Sequence, residues 1–330
     1  GQATSFSPDS VYLAVSAPTT PFVSIYKRAG EVFTKLADPA TLPASSGRGV
    51  SFGPDGVYMA VAHSNTPFVA IYKRAGDTFT KLANPATLPP DTGYAPAFSA
   101  DNVYLAVAHA TSPYVTIYKR SGDTFTKLAN PSTLPTSVCL GAAFSPDGVY
   151  LSLAQATSPY VITYKRSGDT FTKLANPATL PTGQGSGVAF SPDSVYLSVA
   201  HDTTPFVTIY KRSGDTFTKL ANPATLPSGG GIGPAFSPDG VYLSLAHKLS
   251  PFVSIYERLG DTFTKLANPV SLPTGQGNGS SFSPNGAFLS VSHNTTPFVT
   301  IYKGGTYDTT TEFAVPTITD AESNVIIKAE

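Results

Sequence analysis

Apolar and polar positions along this chain recur with one fixed period. Phe6, Phe52, Phe98, Phe144, Phe190, Phe236 and Phe282 stand 46 residues apart. Each opens a copy of one unit, FSPDG-VYLAVAH-xTSPFVTIYKRSGDTFTKLANPATLP. One copy predicts four strands. Residues 189–191 close a first strand, and Pro192-Asp193-Ser194 form a tight turn. Residues 195–201 (VYLSVAH) are apolar on both faces, as is most of 206–211. A strand apolar on both faces is covered on both sides. Arg212-Ser213-Gly214-Asp215 make a second hairpin turn, with Gly supplying a positive φ. Residues 216–220 (TFTKL) alternate, as a strand near solvent does. Pro falls too often for helices, and no stretch shows a period of 3.6.

Four-stranded sheets that grow polar outward cannot bury both faces alone, but sheets stacked face to face in a ring do. The expectation is an all-β chain, a seven-bladed β-propeller of four-stranded antiparallel blades on a 46-residue repeat. Residues 1–318 form the propeller, and 319–330 a C-terminal tail or the start of a following segment. The seventh copy departs after Lys303, where GGTYDTTTEF replaces RSGDTF. Its fourth strand is expected from the C-terminal side, with Phe313 in the place of Phe217.

FSPDG followed by an apolar strand, and a third strand ending in aromatic plus charge, resembles the WD-repeat family of seven-bladed propellers. The resemblance covers all seven units. Tyr-Lys holds the place of Trp-Asp at Tyr26-Lys27, Tyr72-Lys73, Tyr118-Lys119, Tyr164-Lys165 and Tyr210-Lys211, and the Gly-His pair before the first strand is missing. In repeat style the chain is also similar to modules of bacterial and tailed-phage structural proteins. Those resemblances imply a binding scaffold.

Composition narrows the classes. Lys plus Arg and Asp plus Glu are 21 each, so the formal net charge is zero. Nucleic-acid binding needs a cationic surplus and is not expected. No run approaches a membrane-spanning length, so no membrane insertion is expected. A single Cys excludes an intrachain disulfide.

Candidate chemistry is thin. His63, His109, His201, His247 and His293 share one repeat position. Neighbours there stand too far apart to share a metal, and a bond from each to a loop carbonyl is expected. The Asp of each SPD turn is read as turn-forming, and the Lys-Arg pairs as a salt-bridged edge. Cys139 lies in one variable loop with no base fixed beside it. No catalytic residue, metal site or cofactor is expected, and the chain is read as not an enzyme.

Differences between copies gather at one end. Alternating strand direction sends the second-to-third-strand loops and the loops between blades to the same face. Arg48, Asp91, Tyr94, Asp202 and Lys248 fall there as candidate contacts. The expectation is a non-enzymatic, monomeric binding or structural module of a larger assembly, such as a phage tail or bacterial surface protein on a virion or extracellular surface. Its partner is a protein or glycan. A lectin with repeated inter-blade pockets is the alternative.

Overall fold

The computed structural model describes residues 1–304 and 318–319. Its strands follow the repeat. In blade five Gly185–Phe190, Tyr196–His201, Val207–Ser213 and Thr216–Lys219 pair antiparallel in sequence order. The other blades repeat this arrangement, giving a seven-bladed β-propeller of four-stranded antiparallel blades. The seven first strands line the axis, and that of blade seven, Gly277–Phe282, packs against that of blade one, Ala3–Phe6. The ring is therefore closed. Three strands of blade seven are described; the expected fourth strand and Phe313 lie outside the described residues. Ile318–Thr319 pairs parallel with Val32–Lys35, the outer strand of blade one. The rest of the expected tail lies outside the described residues.

The core lies between blades. Second strands such as Tyr104–His109 are buried along their whole length, and outer strands such as Thr170–Lys173 bury only their Phe. Phe171 meets Tyr104 of the preceding blade edge-on, with centroids 5.8 Å apart. That arrangement gains beyond area burial alone. The turns obey their chemistry. Ser194 has φ 58° and Gly148 φ 70° at the same repeat position, while Asp147 Oδ1 accepts from Val149 N at 3.0 Å.

The constant face joins neighbouring blades. Lys73, Lys119, Lys165 and Lys211 each reach the Asp in the next blade's hairpin turn at 2.8 Å. The guanidinium of Arg166 lies 4.9 Å from the Tyr104 ring centroid and pairs with Asp101 at 2.6 Å. The salt-bridged edge read from sequence is thus a belt of ion pairs between blades.

Candidate functional site: the mouth of the axial channel

At the variable end the inner strands of blades two to seven start with an irregularity that aims one side chain at the axis. Gly185 pairs with His201 and Gly187 with Ala200, so Ser186 is an extra residue between them. A bulge of this kind re-aims a side chain. The same shift occurs at Arg48, Tyr94, Leu140, Ile232 and Asn278. Gln2 holds the same repeat position in blade one. Glycine flanks the bulge because there is no room for a side chain. A Cβ on Gly185 would collide with Tyr160 O, and one on Gly187 with Ile232 O. The backbones on both sides of the projecting residue are therefore packed tightly, and the flanking positions stay small (Gly, Ala3, Ala95 or Cys139) while the projecting residue varies freely.

Those seven side chains are Gln2, Arg48, Tyr94, Leu140, Ser186, Ile232 and Asn278, no two alike in a chain of near-identical repeats. They line one cup of about 410 Å³ on the axis. Arg48 is exposed; its Nε donates to Ser64 Oγ at 3.0 Å, and its guanidinium carbon lies 5.9 Å from the Tyr94 ring centroid. Lys248, on the second-to-third-strand loop of blade six, also lines the cup. No Asp, Glu, His or Cys is among its lining residues. The lining of the mouth thus carries two cations and no carboxylate.

Of the five residues expected from sequence, the fold gathers Arg48, Tyr94 and Lys248 at the mouth. Asp91 and Asp202 do not line it. Asp91 Oδ1 accepts from Thr92 N at 2.6 Å, and Asp202 stands over Gly183, filling the place its Cβ would take. Their variability lies in loops outside the ring. Sequence reasoning missed Gln2, Leu140, Ser186, Ile232 and Asn278. The signal was the column one residue after Gly1, Gly47, Gly93, Cys139, Gly185, Gly231 and Gly277, where all seven copies differ.

The other candidates are structural. Nε2 of His109, His201, His247 and His293 meets the hydroxyl of Thr116, Thr208, Ser254 and Thr300 at 3.0 Å. That partner is a side chain on the third strand of the same blade, and the backbone of the following loop, at Thr111, Thr203, Leu249 and Thr295, also acts on each ring, in the direction of the expected loop bond. Burial pushes each of the five histidines down to about 4. Among the described residues no three His, Cys, Asp or Glu come together as metal ligands would. Cys139 is not on a loop. It begins the strand Cys139–Phe144, is fully buried, and replaces the glycine that opens the bulge in other blades. Burial pushes its thiol well above the ordinary range.

No protein-family model and no curated protein matches the chain. Solved structures do. The periplasmic gluconolactonase of Pseudomonas aeruginosa aligns with a TM-score of 0.71 at 17% identity, over 92% of this chain and 94% of that one. Hydrazine synthase of Kuenenia stuttgartiensis aligns at 0.72 and 16%, over 92% and 95%. A protein from Lactobacillus plantarum aligns at 0.73 and 16%, over 89% and 92%. At these identities the likeness establishes the fold, a seven-bladed β-propeller.

These likenesses correct two expectations: that the chain is not an enzyme, and that it is a non-enzymatic structural or binding module with a repeated-pocket lectin as the alternative. Structures with this fold include proteins named for catalysis. The physical reason for the error is that the motifs legible in a sequence are contiguous. A ring that takes one side chain from each blade, 46 residues apart, leaves no contiguous motif.

Proposed function

We propose that the channel mouth is a single site for a small sugar-acid-like anion, and that the corresponding lactone is its substrate. The observation that carries this reading is the pair Arg48 and Lys248 on a cup of about 410 Å³ without a carboxylate in its lining. A guanidinium presents a planar fork suited to a carboxylate or a developing oxyanion. The gluconolactonase likeness supplies the reaction class. Water adds to the lactone carbonyl, the ring C–O bond breaks, and the open hydroxy acid leaves as a carboxylate after losing a proton to solvent. Arg48 stabilises the oxyanion and then the product carboxylate. Tyr94, beneath the guanidinium, limits the directions it can take. No lining side chain is a carboxylate or imidazole base, so the site works by electrostatics and positioning. This suits a strained cyclic ester, which solvent itself opens slowly.

The test is acid release from glucono-δ-lactone in a pH-stat, read above the spontaneous rate. The wild type is expected to accelerate opening, and Arg48→Ala to lose roughly 100-fold, as when an oxyanion donor is removed. A wild-type rate equal to the blank overturns the reading.

A further inference from the structure

The seven side chains at the mouth are not scattered around the ring. Asn278, Gln2, Arg48 and Tyr94 come from blades seven, one, two and three, which are consecutive, so every long hydrogen-bonding side chain of the ring lies on one arc. Leu140 and Ile232 come from blades four and six, with the short Ser186 between them. The arc opposite Arg48 therefore carries the two branched aliphatic side chains of the ring, Leu140 and Ile232, with Gln184, Ser186 and Lys248 lining the cup beside them. Leu140, Ser186 and Ile232 are only partly buried, so their surface is open to an occupant. The polar arc is tied down: Asn278 Nδ2 donates to Gly1 O at 2.8 Å, Gln276 Nε2 donates to Asn278 Oδ1 at 3.0 Å, and Arg48 is held by Ser64. A fully hydroxylated ligand would lay hydroxyl groups against Leu140 and Ile232, where those side chains offer them no partner. Polar groups stripped of water without partners cost affinity.

We infer that the cup selects an amphipathic ligand, a hydroxy acid or lactone with an alkyl segment, its carboxyl end at Arg48 and its alkyl segment against Leu140 and Ile232. This rests on the anion-site reading above and adds the substrate class to it. Asn278 and Gln2 face the ring oxygen or the hydroxyl that ring opening releases. Lys248 stands on a different loop, outside the ring of bulged residues, and attracts the anion without choosing its orientation.

The experiment compares 5-hydroxydecanoate with gluconate by titration calorimetry against the full chain. Both acids carry a carboxylate; one continues as alkyl and the other as polyol. The wild type is expected to bind 5-hydroxydecanoate at least tenfold tighter. Leu140→Ser with Ile232→Ser is expected to remove that preference and leave gluconate binding within about twofold. Serine already occupies the position in blade five, and an unchanged Tm checks that the variant is folded. Equal affinities in the wild type, or gluconate binding tighter, overturn this inference and leave the anion site standing, provided Arg48→Ala weakens both. Neither acid binding overturns both readings. A preference that survives in the double variant shows that the alkyl segment lies elsewhere and overturns the inference.

Discussion

The hydroxyl of Tyr58 donates to Asp123 Oδ1 at 2.6 Å, although the two residues are 65 positions apart and belong to neighbouring blades. Lys73 holds the other carboxylate oxygen at 2.8 Å. This relation recurs around the ring, as in Tyr150–Asp215–Lys165. It binds one blade's second strand to the hairpin of the next. Tyr58→Phe and Asp123→Asn are each expected to lower Tm, and the double variant to lower it by clearly less than the two effects added. That non-additivity is the mark of a shared interaction. Strict additivity would show that the contact contributes nothing.

His63 departs from its counterparts. The third-strand hydroxyl that meets His109 or His201 is replaced by Ala70, and the buried Nε2 of His63 has no hydrogen-bond partner. Ala70→Thr restores the arrangement seen in blade three, His109 with Thr116. It is expected to stabilise the fold by about 1 kcal/mol, the net worth of one buried hydrogen bond. The check is the urea midpoint, which should rise; a fall would mean that blade two lacks room for the hydroxyl.

Stability should fall on mild acidification. The five buried histidines are pushed down from 6.5 to about 4 by desolvation. Between those values the unfolded chain takes up protons that the fold refuses, so unfolding is favoured as pH drops. This contribution is complete above pH 6.5 and is lost as pH falls through about 4. Asp123, held below its ordinary value by Lys73 and Tyr58, acts in the same direction at lower pH. Urea midpoints should decrease from about pH 7 to about pH 5. His201→Gln, which copies the Gln155 that blade four carries naturally, should make the decrease shallower. A flat profile contradicts the burial argument.

The Cys139 thiol should be silent in the native protein. It is fully buried at the head of an inner strand, and burial disfavours its thiolate, which is the reactive form. A thiol reagent such as dithionitrobenzoate is expected to react only after unfolding, at the unfolding rate. Stoichiometric reaction within seconds in buffer would place the thiol at the surface.

The fold was legible because repetition multiplies weak signals. Strand bounds read from one copy hold in its neighbours, and the lone buried Phe of TFTK is what alternation implies. The inter-blade belt was not legible. Tyr58 and Asp123 each satisfy a local role in sequence, and only the ring's closure brings them within 2.6 Å. The site was half legible. Arg48 and Tyr94 stood out by charge and aromaticity, whereas Leu140 and Ile232 look like ordinary core residues until the bulge turns them to the axis. Asp91 and Asp202 stood out for the same reason as Arg48, yet they lie on loops that the bulge does not aim inward.

Seven different side chains line one cup on the axis, and we propose that they form one site. The most direct measurement is the calorimetric stoichiometry of an organic acid, gluconate or 5-hydroxydecanoate, with the wild type and with Arg48→Ala. One ligand per chain is expected, with affinity falling at least tenfold in the variant. Several equivalent ligands per chain, or binding untouched by Arg48→Ala, would contradict a single anion site at the channel mouth.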